Sequence, residues 1–323
     1  MKSPAEIYDV AKAALLAHGA ADMQAGHVAK AVARAEESGN IICGLYYLES
    51  YCTQLTSGRV SGTVEPKVTR PRAGSVMADA GFGFAQPAFA AGLADAVTAA
   101  RENGVATLAV AHAHTCTSLG FFTEQIAAAG LIGIGFTNAS PVVAPPGGNK
   151  AVIGTNPIAM TVPGDPKPAL HFDFSTSAVA LGKITMAKAA GTPIPLGWAV
   201  DADGQPTTDP EAALKGALVS AGGYKGWGFG LMAELLAAGM TGSVNSLDVS
   251  GLKLPDGKPH DLGQFYILID PATHGDAFSD RFARVAEAVA AQDGARIPGA
   301  DRLEMAKIDV PDALWDSVTA LAG

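Results

Sequence analysis

Ala106-Thr107-Leu108-Ala109-Val110-Ala111 is followed directly by His112-Ala113-His114-Thr115-Cys116-Thr117-Ser118. The first six residues read as a strand, and the small polar loop behind them leads into a helix from Leu119 to Ala129. Leu131 to Asn138 then reads as the next strand. A strand, a short loop, a helix and another strand in sequence form the repeating unit of an α/β fold. The alternation extends outward on both sides, from Gly74 to about Gly204. Val76-Met77-Ala78-Asp79 is a strand ahead of a helix from Pro87 to Asn103, and Ala151-Val152-Ile153, Ile158 to Val162 and Leu170 to Phe174 are further strands.

Beyond these limits the pattern is helical. Ser3-Pro4-Ala5-Glu6 supplies a cap residue, a proline at the first helical position and an acid in the first turn. A second helix is predicted from Ala20 to Ser38, with Val28, Ala31, Val32 and Ala35 on one face, and a third from Gly44 to Leu55. Arg59 to Arg72 is polar and holds Pro66 and Pro71, which marks a boundary. After Asp209 come helices at Pro210 to Ser220, Gly226 to Met240 and Ala277 to Gln292, with Phe265 to Ile269 as one more buried strand. The expected division is an α/β domain over 73–209 and a mainly helical substrate and dimerisation domain built from 1–72 and 210–323.

Composition narrows the function. The chain has 323 residues, 48% hydrophobic and 16% charged, with 31 acids against 22 bases and a net charge of −9. That apolar content excludes disorder, and the acidic balance argues against a nucleic-acid partner. A local lysine or arginine cluster can still hold a small anion. Cys43, Cys52 and Cys116 form no Cys-x-x-Cys pair and no zinc spacing, which points to a reducing compartment and no metal. Met1 to Ala20 mixes charged and apolar residues, unlike a signal peptide. The uncharged run between Glu124 and Lys150 is interrupted by Asn138, Ser140, Pro141, Pro145, Pro146 and five glycines, so no membrane span is expected. The expectation is a cytoplasmic protein.

Gly81-Phe82-Gly83-Phe84-Ala85-Gln86 suggests a dinucleotide fingerprint but fails it twice. Gln86 stands where the third glycine belongs, and Ala111-His112-Ala113 where an acid should close the next strand. A glycine turn ahead of Pro87 accounts for it. The loop from Ala111 to Ser118 sits ahead of a helix, where backbone N–H groups favour an anion. Its two histidines and cysteine also admit metal, or a purely structural turn, but their spacing is poor for a metal set. Gly222-Gly223-Tyr224-Lys225-Gly226 precedes a helix and carries a lysine. Asp173-Phe174-Ser175-Thr176-Ser177 follows a strand and suits either a sugar hydroxyl or a helix cap.

Read together with Gly154-Thr155-Asn156-Pro157-Ile158-Ala159, Gly182-Lys183, Pro195-Leu196-Gly197-Trp198-Ala199, Gly204-Gln205-Pro206-Thr207-Thr208-Asp209-Pro210 and Arg296-Ile297-Pro298-Gly299, these segments resemble one family along almost the whole chain. It is the type 2 malate/L-lactate dehydrogenase-like oxidoreductases, which use NAD(P)H without a Rossmann domain. Gly83-Phe84-Ala85-Gln86-Pro87-Ala88 resembles the branch that reduces cyclic imines, the Δ1-piperideine-2-carboxylate/Δ1-pyrroline-2-carboxylate reductases. The resemblance implies a mixed-sheet cofactor domain, a helical domain from both chain ends and an intertwined homodimer. It places cofactor contacts on Thr115, Cys116, Thr117, Ser118 and Leu119, on Asp173, Phe174 and Ser175, on Tyr224 and Lys225, and on Arg296, Pro298, Gly299 and Arg302. Thr155 would face the substrate. NADPH is expected ahead of NADH, because Lys225, Arg296 and Arg302 would surround a 2′-phosphate.

The departures from the family concern the proton. Where it carries Ser-His-Gly this chain has Ile42-Cys43-Gly44, and Tyr47 replaces the arginine for the substrate carboxylate. A second family histidine falls on Thr115, with His114 just before it. Reducing a ketone leaves an alkoxide that needs an acid, whereas an iminium already carries its proton. The losses therefore favour an imine substrate. Cys43, with an ordinary thiol pKa near ~8.5, is either a donor or a wall of the pocket. The competing readings are a 2-hydroxyacid dehydrogenase acting on malate, lactate, sulfolactate or ureidoglycolate, with His114 or Lys183 as the acid, and a cofactor-binding homologue without catalysis.

Overall fold

Ser3 begins the chain's first helix by the means its sequence offers. In the computed structural model, which describes residues 1–323, its hydroxyl accepts the Glu6 N–H at 3.2 Å and the Glu6 carboxylate accepts the Ser3 N–H at 2.8 Å. Helix α1 (Pro4–Ala17) packs along α2 (Asp22–Glu37). The third helix, α3 (Leu48–Thr56), starts later than Gly44. Two 3₁₀ turns, Ile41–Cys43 and Leu45–Tyr47, precede it and are broken at Gly44. The cause is Glu36, a buried acid whose carboxylate takes the Leu45 N–H at 2.7 Å. A Cβ at residue 44 would collide with that carboxylate, so the break needs glycine.

The remaining elements run β1 (Lys67–Arg72), β2 (Ser75–Asp79), α4 (Ala85–Asn103), β3 (Val105–Ala113), α5 (Gly120–Ala128), β4 (Ile132–Thr137), β5 (Ile158–Val162) and β6 (Leu170–Phe174). Then follow α6 (Leu181–Ala190), the two-residue β7 (Ala199–Val200), α7 (Pro210–Lys215), β8 (Ala217–Leu218), α8 (Tyr224–Glu234), β9 (Leu262–Ile269), α9 (Phe278–Ala290) and α10 (Asp312–Leu321). Ten α-helices thus surround a seven-stranded mixed sheet in the order β1-β2-β3-β9-β4-β5-β6. Strands β2 and β3 are parallel, joined by α4, and every other neighbouring pair is antiparallel. The sheet is not confined to residues 73–209, because β1 lies before them at one edge and β9 is inserted at its centre between β3 and β4.

Burial explains that insertion. Tyr266 on β9 is fully buried, with ring centroids 4.9 Å from Phe89 and 5.8 Å from Phe122. It is paired with Gly135, where a Cβ would stand 2.9 Å from the tyrosine ring. Each such side chain removed from water contributes about 1.5–3 kcal/mol. A second cluster joins both chain ends: Ile308, Val310 and Val318 pack with Ile7, Val28, Leu48 and Tyr51.

Two sequence expectations fail here. Ala151-Val152-Ile153 forms no strand, only a bridge between Ile153 and Val143. The helix expected from Pro210 to Ser220 ends at Lys215, because Ala217 and Leu218 pair with Val200 and Ala199. The helix after Gly223 runs past Glu234 into a π turn at Leu235–Gly239. Helices α6 and α10 had no counterpart in the sequence reading. No helix is long and apolar enough to cross a membrane.

Candidate active site

The loop between β3 and α5 closes on the protein's own acid. Asp173, near the end of β6, accepts the Gly120 N–H at 2.7 Å and the Ser118 hydroxyl at 3.3 Å. A carboxylate therefore already occupies the N-terminus of α5, where its charge is best placed. The anion that the sequence of Ala111 to Ser118 suits at this helix start is thus supplied by the chain itself. Thr115, Cys116, Ser118 and Leu119 are buried, and Thr117 takes the left-handed conformation with φ 59°. Burial raises the Asp173 pKa, opposed by those hydrogen bonds and by Arg302.

His114 lies in the interior and not in the site. Its Nε2 is 2.5 Å from Gln54 Oε1, its ring stacks on His260 at 4.0 Å, and Tyr51 and Phe84 close the remaining sides. Burial holds it neutral, with its pKa well below the usual histidine value, and the neighbouring His260 adds to the shift. A ring only 1% exposed cannot deliver a proton to a bound substrate. Burial removes His114 as a candidate acid. Lys183 is exposed at the start of α6, the helix anchored by Ile184.

Cys43 stands where the resemblance puts a proton donor, half-buried at the end of the first 3₁₀ turn. Burial first, and then the charge of Asp173, push its thiol up to about 12, while a hydrogen bond with Asn40 and the charge of Lys253 pull it back. Burial first, and then the charges of Asp173 and Cys43, raise the Cys116 thiol as well. The Cys43 thiol is protonated throughout the neutral range but is a weaker acid than an ordinary cysteine. Tyr47 is buried and donates its hydroxyl to the Leu252 carbonyl at 3.3 Å. Ile41 and Ile42 beside it are exposed.

Across the sheet, separate sequence segments meet. The Thr155 carbonyl accepts the Thr176 N–H at 2.9 Å, Ala221 N–H bonds to the Thr176 carbonyl at 2.9 Å, and Ser177 bridges to Ser220. Residues 173–177 therefore lie between Thr155 and the start of α8. Asn156 is fixed by its side-chain bonds to the Gly230 carbonyl and to Glu234, a buried acid that also receives Asn245 and Ser246. At the start of α8, Gly222 and Gly223 have φ 65° and 62°, and Cβ atoms there would meet nothing within 4 Å. Ser220 Oγ is buried without a partner, and Tyr224 and Lys225 are exposed. This helix N-terminus is open.

The 296–302 segment joins from the other edge. Pro298 accepts the His171 N–H at 3.0 Å, and Gly299 lies against His171 so closely that a Cβ would approach its carbonyl to 2.7 Å. Arg302 is engaged by Glu124, which also binds Arg34 at 3.0 Å, and Arg296 pairs with Asp301 at the surface. Sequence reasoning missed Gln54, Arg59, Glu234 and Lys253. Arg59 is 1% exposed, and its guanidinium holds the carbonyls of Gly251, Leu254 and Lys258 and the Ser250 hydroxyl. Gln54 holds the Leu252 and Leu254 carbonyls at 2.9 and 2.7 Å.

Comparison with known proteins gives these features a setting. The sequence profile of the malate/L-lactate dehydrogenases matches residues 3–318. A (2R)-3-sulfolactate dehydrogenase (NADP(+)) of Chromohalobacter salexigens is 38% identical over 328 residues, covering 100% of this chain and 98% of that one. A Delta(1)-pyrroline-2-carboxylate reductase of Ancylobacter novellus is 36% identical, covering 99% and 96%. The crystal structure of delta1-piperideine-2-carboxylate reductase from Pseudomonas syringae pvar. tomato superposes with a TM-score of 0.92 at 33% identity, covering 99% and 98%.

Proposed function

Because the chain belongs to the malate/L-lactate dehydrogenase family, we propose that it is an NAD(P)H-dependent reductase of the C=N bond in a small cyclic or N-substituted 2-imino acid. One observation carries this reading: the group at the donor position is a thiol held near 12, and His114 lies in the core. A substrate that brings its own proton needs no better donor. The relatives named for pyrroline- and piperideine-2-carboxylate reduction support it.

The cofactor fits the residues present. The unpartnered Ser220 hydroxyl and the uncrowded Gly222-Gly223 turn leave room for phosphate at the start of α8, with Lys225 supplying charge. Ser118, Asp173 and Ser175 would meet ribose hydroxyls, with Thr115, Cys116, Thr117, Leu119 and Phe174 as walls, Tyr224 at the rim, and Arg296, Pro298, Gly299 and Arg302 closing the far edge. When bound, a reduced nicotinamide supplies a hydride. NADPH is the preferred form, and the NADP(+) dependence printed for the sulfolactate relative supports it.

The protein's own work is then positioning. Thr155, with its backbone fixed by Thr176 and its neighbour Asn156 fixed by Glu234, faces the substrate from the cofactor side. Cys43 and Tyr47 wall the opposite side. The iminium carbon gains the hydride, its C=N electron pair returns to nitrogen, and the product is a neutral amine. No proton leaves the protein in that step. Residues 73–209 with β9 form the cofactor side, and helices from both chain ends form the substrate side. Phe229 on α8, Leu235 on its π turn and Met240 just after it are exposed and are the surface a homodimer would bury. A monomeric mass in solution at micromolar concentration would contradict that pairing.

A second reading, reduction of a 2-oxoacid to a 2-hydroxyacid, is favoured by the 38% identity to the sulfolactate dehydrogenase over the whole chain. NADPH oxidation with cyclic imines, with 2-oxoacids and with 2-oxoacids plus methylamine separates the readings. The proposal expects imines and the methylamine mixtures to be reduced. Turnover of 2-oxoacids alone would establish the second reading, and no turnover at all a homologue that only binds cofactor.

A further inference from the structure

Every substrate in these readings carries a carboxylate, and a chain with a net charge of −9 repels it unless a local cation offsets the field. Tyr47 stands where the family carries an arginine, and its hydroxyl is committed to the Leu252 carbonyl. The next residue in that partner segment restores the missing charge. Lys253 Nζ lies 4.3 Å from the Tyr46 ring centroid and 5.2 Å from that of Tyr47. We propose that Lys253 receives the substrate carboxylate, replacing from a distant part of the chain the arginine absent at position 47.

The backbone around Lys253 is prepared for this. The Leu252 carbonyl is held by Tyr47 and Gln54, and the Leu254 carbonyl by Gln54 and Arg59 at 2.7 Å each. Both flanking carbonyls are therefore held in place. The Lys253 ammonium rests on two aromatic faces, a weak contact at exposed sites. That contact can be exchanged for a carboxylate, whose charge-assisted hydrogen bonds are stronger. Lys253 is also the cation whose charge acts on the Cys43 thiol, which puts its field on the donor-position side of α3. A lysine binds as a point charge where the arginine would bind as a planar fork, so the carboxylate keeps rotational freedom.

This assignment rests on the proposed function only for the presence of a 2-carboxylate, so non-reducible probes test it. Pyrrole-2-carboxylate and pyrrole-2-carboxamide have the same ring and differ in charge. Each is titrated calorimetrically into the protein saturated with the oxidised cofactor. The wild type should prefer the carboxylate by about tenfold or more, equivalent to one charge-assisted bond. Lys253→Met should abolish that preference, Lys253→Arg should restore most of it, and Lys258→Met in the same segment should leave it intact. A Lys253→Met protein with wild-type carboxylate affinity, or a wild type that does not prefer the carboxylate, overturns the assignment. Failure of the imine reading appears separately, as 2-oxoacid reduction by the wild type, and Lys253→Met should then raise KM for that 2-oxoacid.

Discussion

Two helix N-termini flank the candidate site, and they differ in what already occupies them. At α5 the Asp173 carboxylate takes the Gly120 N–H, and His114 and His260 stack behind the loop. At α8 the Gly222-Gly223 turn faces open space and Lys225 is exposed. Both read alike in sequence, as small residues ahead of a helix. A helix N-terminus attracts an anion, but the chain can supply that anion itself. At α5 the chain supplies the anion, and at α8 it does not.

The largest expected effect is on the filled side, under acid. Burial holds His171 and His260 down to about 3 and His114 well below its usual value. The folded protein keeps these rings neutral, whereas the unfolded chain protonates them below about pH 6.5. The unfolded state therefore binds more protons, and stability is lost as pH falls from about 6.5 toward about 3. Melting temperature should drop by roughly 5–10 °C between about pH 7 and 5. A flat profile in differential scanning calorimetry would contradict the buried neutral cluster.

Emptying the filled end comes next. Asp173→Ala removes the group that caps α5 and should destabilise the protein by about 1–2 kcal/mol, measured by urea titration. An unchanged midpoint would mean that the carboxylate does not hold the loop. On the open side, Lys225→Ala should raise KM for NADPH by about tenfold with little change in stability, which fits loss of one charged contact. If KM is unchanged, phosphate does not bind at α8.

Much of this contrast was legible in the sequence, and its sense was not. The strands from β2 to β6 and β9 stand close to their expected places, because alternating apolar runs between glycine turns leave few alternatives. The 151–153 run was misread because an apolar triplet pairs only when a neighbour has free edge groups. The segments 115–119, 155, 173–177 and 224–225 come together in the structure, although they are scattered along the chain. What sequence could not show is occupancy. His114 reads in the sequence as a candidate acid until the fold buries it, and the fold buries Glu36 as well. Lys253 approaches Tyr47 only through bonds spanning about two hundred residues, from Gln54 and Arg59.

The smallest effect separates the protein's proton from the substrate's. Cys43→Ala should lower imine turnover by less than about threefold, because a thiol near 12 is a poor acid. A loss of about 10²-fold would make Cys43 the general acid.

The central claim is that the proton arrives on the substrate. Its most direct test is the pH dependence of kcat/KM for two cyclic 2-imino acids whose iminium pKa values differ. If the protein supplies no acid, each profile falls above the pKa of its own substrate, and the inflection moves from one substrate to the other. An inflection fixed at one pH for both substrates would show an acid belonging to the protein and would contradict the account.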